Sequence, residues 1–353
     1  MLLNLNHFKT NRNYLLNNFT VFAELNFTDI IKAHERIKDH IVRTSLITNE
    51  DLNKKLNAEV FLKMENHQHT SSFKARGAIN AIIAYKEKFG HLPKKIVAQS
   101  SGNHAQAIAF MCKKLHIKAL IYMANIVPQF KVEATRNLGA EVIICEKRSE
   151  ANQLAEQKMK EGYLFIHPSD NDDVITGQGT ATFEALQQII EIDHRASLNK
   201  FELHQRDNFA NIDAIFAPCG GGGLVIGSYL ASLGLAPQAK VIGCEPLQAN
   251  DAKISLENNQ IFKFQDSPKT IADGARTLAI AERCFYHLKK ISGICEISEE
   301  KIIEWQKYLS DILKTPIEPT SALSIAGAEQ FIESQKNNKK LRLLAIISGG
   351  NLE

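Results

Sequence analysis

The chain lacks most features that mark secreted, membrane or nucleic-acid-binding proteins. Its 353 residues hold six scattered cysteines and no Cys-x-x-Cys pair, which indicates reduced, mostly buried thiols in a cytoplasmic protein. No apolar run approaches the length that spans a membrane, and the N-terminus has no signal-peptide core. The net charge of +3 is too small to indicate a nucleic-acid partner. A hydrophobic content of 44% is ordinary for a soluble globular protein.

Two common nucleotide-binding patterns are also missing. The chain has a run of glycines, Gly220, Gly221, Gly222 and Gly223, but no Gly-Lys-Ser/Thr follows it, so it is not a Walker loop. The spaced Gly-x-Gly-x-x-Gly pattern is absent as well, which disfavours a nucleotide-dependent oxidoreductase. Alone, such a run is as consistent with a flexible turn as with an anion-binding loop. Its place between a predicted strand and a predicted helix favours the loop.

The segment 70–78 places Lys74 after a Ser/Thr-rich loop and at the start of a helical run of small residues. Desolvation and the positive end of a helix both favour the neutral form of a buried amine. A neutral lysine can form a Schiff base with a carbonyl compound. A solvated surface lysine is the ordinary alternative, and three other segments weigh against it.

These three segments each lie where a predicted strand ends. Residues 100–106 follow the apolar run 96–98, the glycine run follows 214–217, and residues 348–351 follow 343–347. In open α/β sheets, ligands bind at the carboxyl ends of the strands. Together with the lysine segment, these points predict one shared crevice.

Short apolar strands alternate with helical stretches along the chain, which predicts an α/β fold with parallel sheets and helices on both faces. Thr28 is the expected cap of the first helix, which would place Ile30, Ala33, His34 and Ile37 on one face. The expected strands are 60–62, 96–98, 119–123, 142–145, 164–166, 214–217, 241–244 and 343–347.

The four segments, in this order, resemble the fold-type-II pyridoxal-phosphate enzymes, in particular the group of serine/threonine dehydratases (threonine ammonia-lyases) and serine racemases. Residues 176–180 (TGQGT) and 270–274 (TIADG) are two further matches, and the resemblance covers nearly the whole chain. It implies two doubly wound open-sheet domains of the tryptophan synthase β kind. The large domain would comprise residues 27–94 and 172–353, and the inserted small domain residues 95–171. Residues 1–26 would form a loosely ordered extension.

The resemblance also implies a role for each motif. Lys74 would hold pyridoxal 5'-phosphate as a Schiff base, with Phe73 beside it, and would later take the α-proton of the substrate. The glycine run would hold the cofactor phosphate, Asn103 would contact the 3'-oxygen, and Ser348 the pyridine nitrogen. Because a hydroxyl does not keep that nitrogen protonated as a carboxylate would, Ser348 favours β-elimination over transamination.

Ser101, Gly102, Asn103 and His104 resemble the loop that binds the substrate carboxylate, with His104 either in contact with the substrate or packed nearby. Dehydratases of the group often carry alanine at the position of Ser101, whereas racemases carry serine. Racemisation needs acid/base groups on both faces of a planar intermediate, and Lys74 and Ser101 are the candidates. Ser101 therefore permits racemisation without proving it, and hydroxyaspartate-type enzymes share the pattern.

Glu245, Ala249 and Asp251 have the spacing with which racemase-like members bind a divalent cation (Mg²⁺, Mn²⁺ or Ca²⁺), Ala249 through its backbone oxygen. By spacing alone, an acidic loop is the better interpretation. The chain departs from the family in two places. Ser71 stands where a glycine is common, and Asn152 stands where some racemases carry arginine, which leaves acidic substrates in doubt.

The resemblance thus implies an L-serine/L-threonine ammonia-lyase that eliminates water and gives a 2-oxo acid and ammonia. The alternatives are a serine racemase with elimination as a side activity, a threo-3-hydroxyaspartate ammonia-lyase and, from another class, a non-catalytic metabolite-binding protein on the same fold. The expected partners are a small hydroxy amino acid and a second copy of the chain in a homodimer, with no nucleic acid and no membrane.

Overall fold

The structure, a computed structural model, describes residues 15–16, 19–20, 22–100, 102–125, 127, 129–199, 209–335 and 339–352. Ser101 and most of the predicted N-terminal extension lie outside these residues. The helices are α1 Phe27–Ile37, α2 Glu50–Leu56, α3 Lys74–Phe89, α4 Asn103–Lys114, α5 Gln129–Asn137, α6 Arg148–Lys160, α7 Asp172–Asn199, α8 Gly223–Leu235, α9 Asp251–Glu257, α10 Glu282–Leu288, α11 Glu299–Leu313 and α12 Pro319–Ser334. The strands are β1 Leu15–Leu16, β2 Phe19–Thr20, β3 Leu46–Ile47, β4 Glu59–Met64, β5 Lys95–Gln99, β6 Lys118–Ala124, β7 Glu141–Cys145, β8 Leu164–Phe165, β9 Ala214–Pro218, β10 Lys240–Pro246, β11 Gly293–Ile297 and β12 Arg342–Ile347.

Two sheets organise the fold, and a short antiparallel β1–β2 pair stands apart from them. The larger sheet has the strand order β11-β10-β9-β12-β4-β3 and is parallel except for the β3–β4 pair. The smaller sheet has the order β7-β6-β5-β8 and is parallel throughout. The predicted α/β fold is therefore confirmed. The domain boundaries at residues 95 and 171 stay predictions.

The larger sheet is buried on both faces. Ile215 and Ala217 of β9 belong to one hydrophobic cluster, and Ala214 and Phe216 belong to another. This alternation follows from the two-residue period of a strand. All six cysteines are free thiols, and five of them are buried. No helix in the described ranges combines the length and the apolar character needed to cross a bilayer.

Two features of the secondary structure differ from the prediction. Asn26, and not Thr28, caps α1: its side chain accepts a hydrogen bond from the Thr28 N–H at 2.9 Å, and Asp29 accepts one from the Asn26 N–H at 3.1 Å. This reciprocal arrangement is a capping box, so the helix begins earlier than expected. The strands β3 and β11, at the two edges of the large sheet, were also not predicted, because segments of 2 and 5 residues are too short to show a clear apolar periodicity.

Helices α3 and α8 both begin at the predicted crevice. Helix α7 supports the two helices through contacts between main chains. A Cβ atom on Gly179 would lie 2.5 Å from the carbonyl oxygen of Gly227 in α8. A Cβ on Gly177 would lie 2.7 Å from the carbonyl oxygen of Arg76 in α3. Only glycine allows backbones to approach this closely. The TGQGT motif therefore sets the positions of α3 and α8.

A buried ionic network joins β4, α3 and α7 directly behind the lysine segment. Arg76 donates to Glu65 at 2.7 Å and to Glu184 at 2.8 Å, and Lys63 donates to Glu184 at 2.9 Å. All four side chains are buried. Burial opposes ionisation of Glu184, but Arg76 and Lys63 outweigh it and lower the pKa of Glu184 to about 2. Two cations thus balance two carboxylates in the core.

Candidate active site

A cavity of about 450 Å³ lies at the carboxyl ends of strands from both sheets. Its wall includes most of the predicted site residues, namely Phe73, Lys74, Gly102, Asn103, His104, Gly220, Gly221, Gly222 and Gly223. Ser348 is buried next to the cavity, where its hydroxyl donates a hydrogen bond to the lining residue Glu318. The three predicted metal ligands lie elsewhere. The segments of Lys74, Asn103 and the glycine run thus line one crevice, and the segment 348–351 is hydrogen-bonded to the first two of them.

Lys74 is the first residue of α3 and is partly buried. Its Nζ donates a hydrogen bond to the carbonyl oxygen of Pro168 at 3.2 Å and lies 4.9 Å from the ring centroid of Phe73. Burial lowers the pKa of Lys74 to about 8, although Cys284 and Glu318 oppose the shift. A useful fraction of this amine is therefore neutral, and hence nucleophilic, near neutral pH.

The loop before Lys74 is held in an unusual conformation. Thr70 and Ser71 have φ values of 58° and 52°, in the left-handed region that favours glycine. A serine there costs about 1 kcal/mol relative to glycine. The C-terminal segment compensates, since the Gly350 N–H donates to the Ser71 carbonyl at 2.9 Å and the Phe73 N–H donates to the Ser348 carbonyl at 3.0 Å. Ser71 therefore keeps the conformation that a glycine would adopt.

The glycine loop presents main-chain donors at the start of α8. In the part of the chain that the structure describes, none of the N–H groups of residues 220–223 donates a hydrogen bond. Gly222 has φ of +91°, and a Cβ atom on Gly221 would overlap the Ser169 hydroxyl. Side chains are thus excluded at Gly221 and Gly222, and the free N–H groups of the loop at a helix N-terminus suit an anion such as a phosphate.

A second set of free donors lies at the start of α4. The N–H groups of Asn103 and His104 have no partner among the described residues. The His104 Nε2–H donates to the Ile166 carbonyl at 2.9 Å, which leaves Nδ1 as a buried acceptor without a partner in the same residues. Burial, with the charge of Lys74, lowers the pKa of His104 to about 3, so the ring is neutral. The N–H groups of Asn103 and His104, at the start of this helix, suit a carboxylate.

Sequence analysis missed Glu318, which connects two predicted cofactor contacts. Its carboxylate accepts hydrogen bonds from Asn103 Nδ2 at 2.9 Å and from the Ser348 hydroxyl at 3.1 Å. The side chain is buried, and burial raises the pKa of Glu318 to about 7. A Glu-Pro pair at a helix start gave no signal of this role. The carboxyl group changes its charge in the pH range where the site would work.

We expect Glu318→Gln to stabilise the cofactor-free protein at pH 8 and to change it little at pH 4. The pKa of Glu318 in the folded chain, about 7, lies above its ordinary value of 4.5, so the wild-type fold loses stability as pH rises between these values. The gain at pH 8 should be about 1–3 kcal/mol, since each pKa unit is worth about 1.4 kcal/mol. Urea unfolding at both pH values measures it, with the exposed Glu50→Gln as control. Equal effects at both pH values would contradict the assignment.

The predicted metal ligands lie around the end of β10 and the start of α9. Both oxygens of Glu245 accept backbone hydrogen bonds, from Ala252 at 3.0 Å and from Lys253 at 2.9 Å. Asp251 accepts one from Thr277 at 3.2 Å, and its Oδ2 is buried without a partner in the described chain. Burial raises the pKa of Asp251 to about 7, and burial together with Asp251 raises that of Glu245. Among the described residues, no three His, Cys, Asp or Glu side chains cluster as metal ligands.

The fold and the lysine cavity define an enzyme of the fold-type-II pyridoxal-phosphate class. The model of one family, described as pyridoxal-phosphate dependent enzyme, matches residues 37–349, and the chain belongs to that family. It is 35% identical to the L-threo-3-hydroxyaspartate ammonia-lyase of Saccharomyces cerevisiae and covers 93% of both chains. It is 37% identical to the serine racemase of Schizosaccharomyces pombe, covering 93% of this chain and 94% of that protein.

Solved structures agree with this placement. The crystal structure of a threonine deaminase from T.th. is 35% identical in sequence and superimposes with a TM-score of 0.80. The alignment covers 93% of this chain and 99% of the deaminase. The resemblance to dehydratases and racemases of this class is therefore confirmed.

Proposed function

We propose that the chain is an ammonia-lyase that eliminates water from L-serine, L-threonine or a related β-hydroxy amino acid and releases a 2-oxo acid and ammonia. One observation carries the proposal: Lys74, with a pKa of about 8, shares its cavity with a glycine loop whose N–H groups have no partner among the described residues. Relatives named as threonine dehydratase, serine racemase and hydroxyaspartate ammonia-lyase support it.

The residues of the cavity fit pyridoxal 5'-phosphate. The free N–H groups of the glycine loop would hold the phosphate, and Lys74, beside Phe73, would hold the aldehyde carbon. Asn103 would contact the 3'-oxygen and Ser348 the ring nitrogen. Ser348 has one proton, which ionised Glu318 accepts; protonated Glu318 leaves that proton available for the ring nitrogen. When bound, the cofactor supplies an electron sink that acidifies the α-proton of an amino acid.

The side chains and helix starts of this chain would bind the substrate and remove its α-proton. The N–H groups of Asn103 and His104 would bind the α-carboxylate of the substrate. Lys74 would then remove the α-proton, a task for which a pKa of about 8 is well matched near neutral pH. Because His104 is neutral and donates through Nε2 to the main chain, it would act as a hydrogen-bond acceptor and not as an acid.

An assay of purified protein with pyridoxal phosphate and Mg²⁺ tests the proposal. The substrates are L-serine, L-threonine and L-threo-3-hydroxyaspartate, and keto acid and D-serine are measured in the same samples. Keto acid without D-serine would support the ammonia-lyase. Neither product from any substrate would sink the proposal and favour a non-catalytic binding protein.

Serine racemisation is the second candidate, favoured by Ser101 and by the racemase relatives. Ser101 lies outside the described residues, so its place at the second face of the substrate stays a prediction. If it delivers a proton there, Ser101→Ala should remove D-serine formation and leave most of the elimination. Equal loss of both products would instead mean that Ser101 is needed for substrate binding.

We also propose a divalent cation bound by Glu245, Asp251 and the carbonyl oxygen of Ala249. Two buried carboxylates with raised pKa values and no cationic partner in the described chain suit a hard cation. Millimolar Mg²⁺, Mn²⁺ or Ca²⁺ should therefore raise the Tm by several degrees, since binding to the native state alone stabilises it. Asp251→Asn should abolish the rise, while Asp266→Asn on an exposed loop should not. An unchanged Tm with all three ions would refute the site.

The remaining expectations stay predictions. The homodimer would be tested by the molar mass in solution, and the cytoplasmic location by fractionation of cells that express the chain. Cleavage by protease near residues 95 and 171 would test the proposed domain boundaries.

A further inference from the structure

Two arginines line the same cavity as Lys74 and have no ion-pair partner among the residues that the structure describes. Arg148 is the first residue of α6, which follows β7 of the smaller sheet, and Arg276 follows the 3₁₀ turn Asp273–Ala275. Throughout the described chain, neither guanidinium group makes an ion pair or a hydrogen bond. The contrast is Lys131 on the same wall, which is paired with Asp273.

Both arginines are exposed and belong to the wall of one cavity of about 450 Å³, so their positive charges act on the same space. Desolvation, followed by the charge of Arg276, lowers the pKa of the Arg148 guanidinium group. Keeping two like charges together costs free energy, and an anion between them would remove that cost. Asp266 lines the cavity as well, but it is exposed and makes no ion pair among the described residues.

The other anionic groups of the reactants already have candidate sites. The glycine loop suits the cofactor phosphate, and the start of α4 suits the α-carboxylate. The arginine pair is therefore left for a further anion, on the substrate side chain. Guanidinium groups bind carboxylates through two parallel hydrogen bonds, which makes a carboxylate the best match.

The position of Arg148 is also relevant to Asn152, which stands where some racemases carry arginine. The two residues are four positions apart on α6, so they lie on the same face of the helix. Asn152 is exposed and does not line the cavity, whereas Arg148 does. The chain thus supplies a guanidinium group one turn before the position where some racemases carry one.

We propose that Arg148 and Arg276 bind the side-chain carboxylate of an acidic β-hydroxy amino acid, so that the site takes a dicarboxylic substrate in preference to L-serine or L-threonine. This inference rests on the proposed function, because it names the substrate class of the same cavity. Loss of the 3-hydroxyl group and the α-proton as water would give an enamine, and water would then hydrolyse its imine form to a 2-oxo dicarboxylic acid and ammonia.

The first test compares substrate preference in the holoenzyme. The quantity measured is kcat/KM for L-threo-3-hydroxyaspartate divided by kcat/KM for L-serine. Arg148→Gln and Arg276→Gln should each lower this ratio about ten-fold, and the double variant more, as expected for the loss of a charge-assisted hydrogen bond. Lys147→Gln is the matched control, since Lys147 caps the same helix and does not line the cavity. A ratio that neither arginine variant changes would overturn the inference.

The second test needs no turnover. Succinate and butyrate have the same number of carbon atoms and differ by one carboxylate, and calorimetry gives their Kd for the holoenzyme. Wild type should bind succinate about ten-fold more tightly, and the double arginine variant should lose that difference. Equal binding by wild type would overturn the inference. Absence of keto acid from every substrate would instead refute the proposed function, while succinate binding would still report on the arginines.

Discussion

Replacement of Lys74 by alanine is expected to lower kcat for keto-acid formation by about 10³-fold or more. The variant loses the amine that would hold the cofactor and the base that would take the α-proton, and proton transfer alone contributes about 10²–10⁴-fold. The pKa of about 8 and the position of Lys74 at the cavity make it the nucleophile that the described site offers. Steady-state assays of keto acid at saturating substrate measure the loss.

Two further measurements separate loss of chemistry from loss of fold. Borohydride reduction of the wild-type holoenzyme should fix the cofactor to the peptide that contains Lys74, as read by mass spectrometry. Lys88→Ala is the matched control, because Lys88 lies on the same helix over the ring of Phe89 and away from the cavity. A Lys74→Ala variant with normal elimination rates would show that the assignment is wrong.

The second large effect is expected in the buried ionic network. Glu184→Gln should lower the free energy of unfolding by about 3–5 kcal/mol at pH 7, because it leaves two buried cations with one carboxylate. Lys63 has a pKa that burial already lowers, so it can release its proton and limit the loss. Urea unfolding followed by circular dichroism measures the change.

A double variant tests the reason for this loss. Lys63→Met combined with Glu184→Gln leaves Arg76 paired with Glu65 and restores the charge balance, so it should recover part of the stability. Glu35→Gln, which breaks the exposed pair with Lys38, should have a far smaller effect. Lys63→Met could instead lower the free energy of unfolding by the same amount in the Glu184→Gln protein as in the wild type. Charge balance would then not be the cause.

Sequence reasoning succeeded where function requires a local pattern. A glycine run after an apolar strand, or a Ser-Gly-Gly turn after another, marks a carboxyl strand end, and the sheet then brings such ends together. Glu318 and the arginine pair could not be found in this way. Their roles depend on neighbours distant in the chain, such as Asn103 for Glu318 and Arg276 for Arg148.

The buried network shows a second reason for failure. Lys63, Glu65, Arg76 and Glu184 belong to residue types that are almost always exposed unless paired, so each taken singly is predicted at the surface. Their pairing emerges only when β4, α3 and α7 pack together. Thr28 was misassigned for a simpler reason, since Asn26 and Asp29 complete a stronger cap.

The glycine contacts of α7 affect how freely this site can diverge. The separation of Lys74 from the glycine loop is set by three main chains in contact, at Gly177 and Gly179 against α3 and α8, and not by the side chains of the cavity wall. Residues of the cavity wall such as Arg148 can therefore be exchanged without moving Lys74 relative to the glycine loop. New substrate preferences can arise on this scaffold through single replacements at the cavity wall, without any rebuilding of the core.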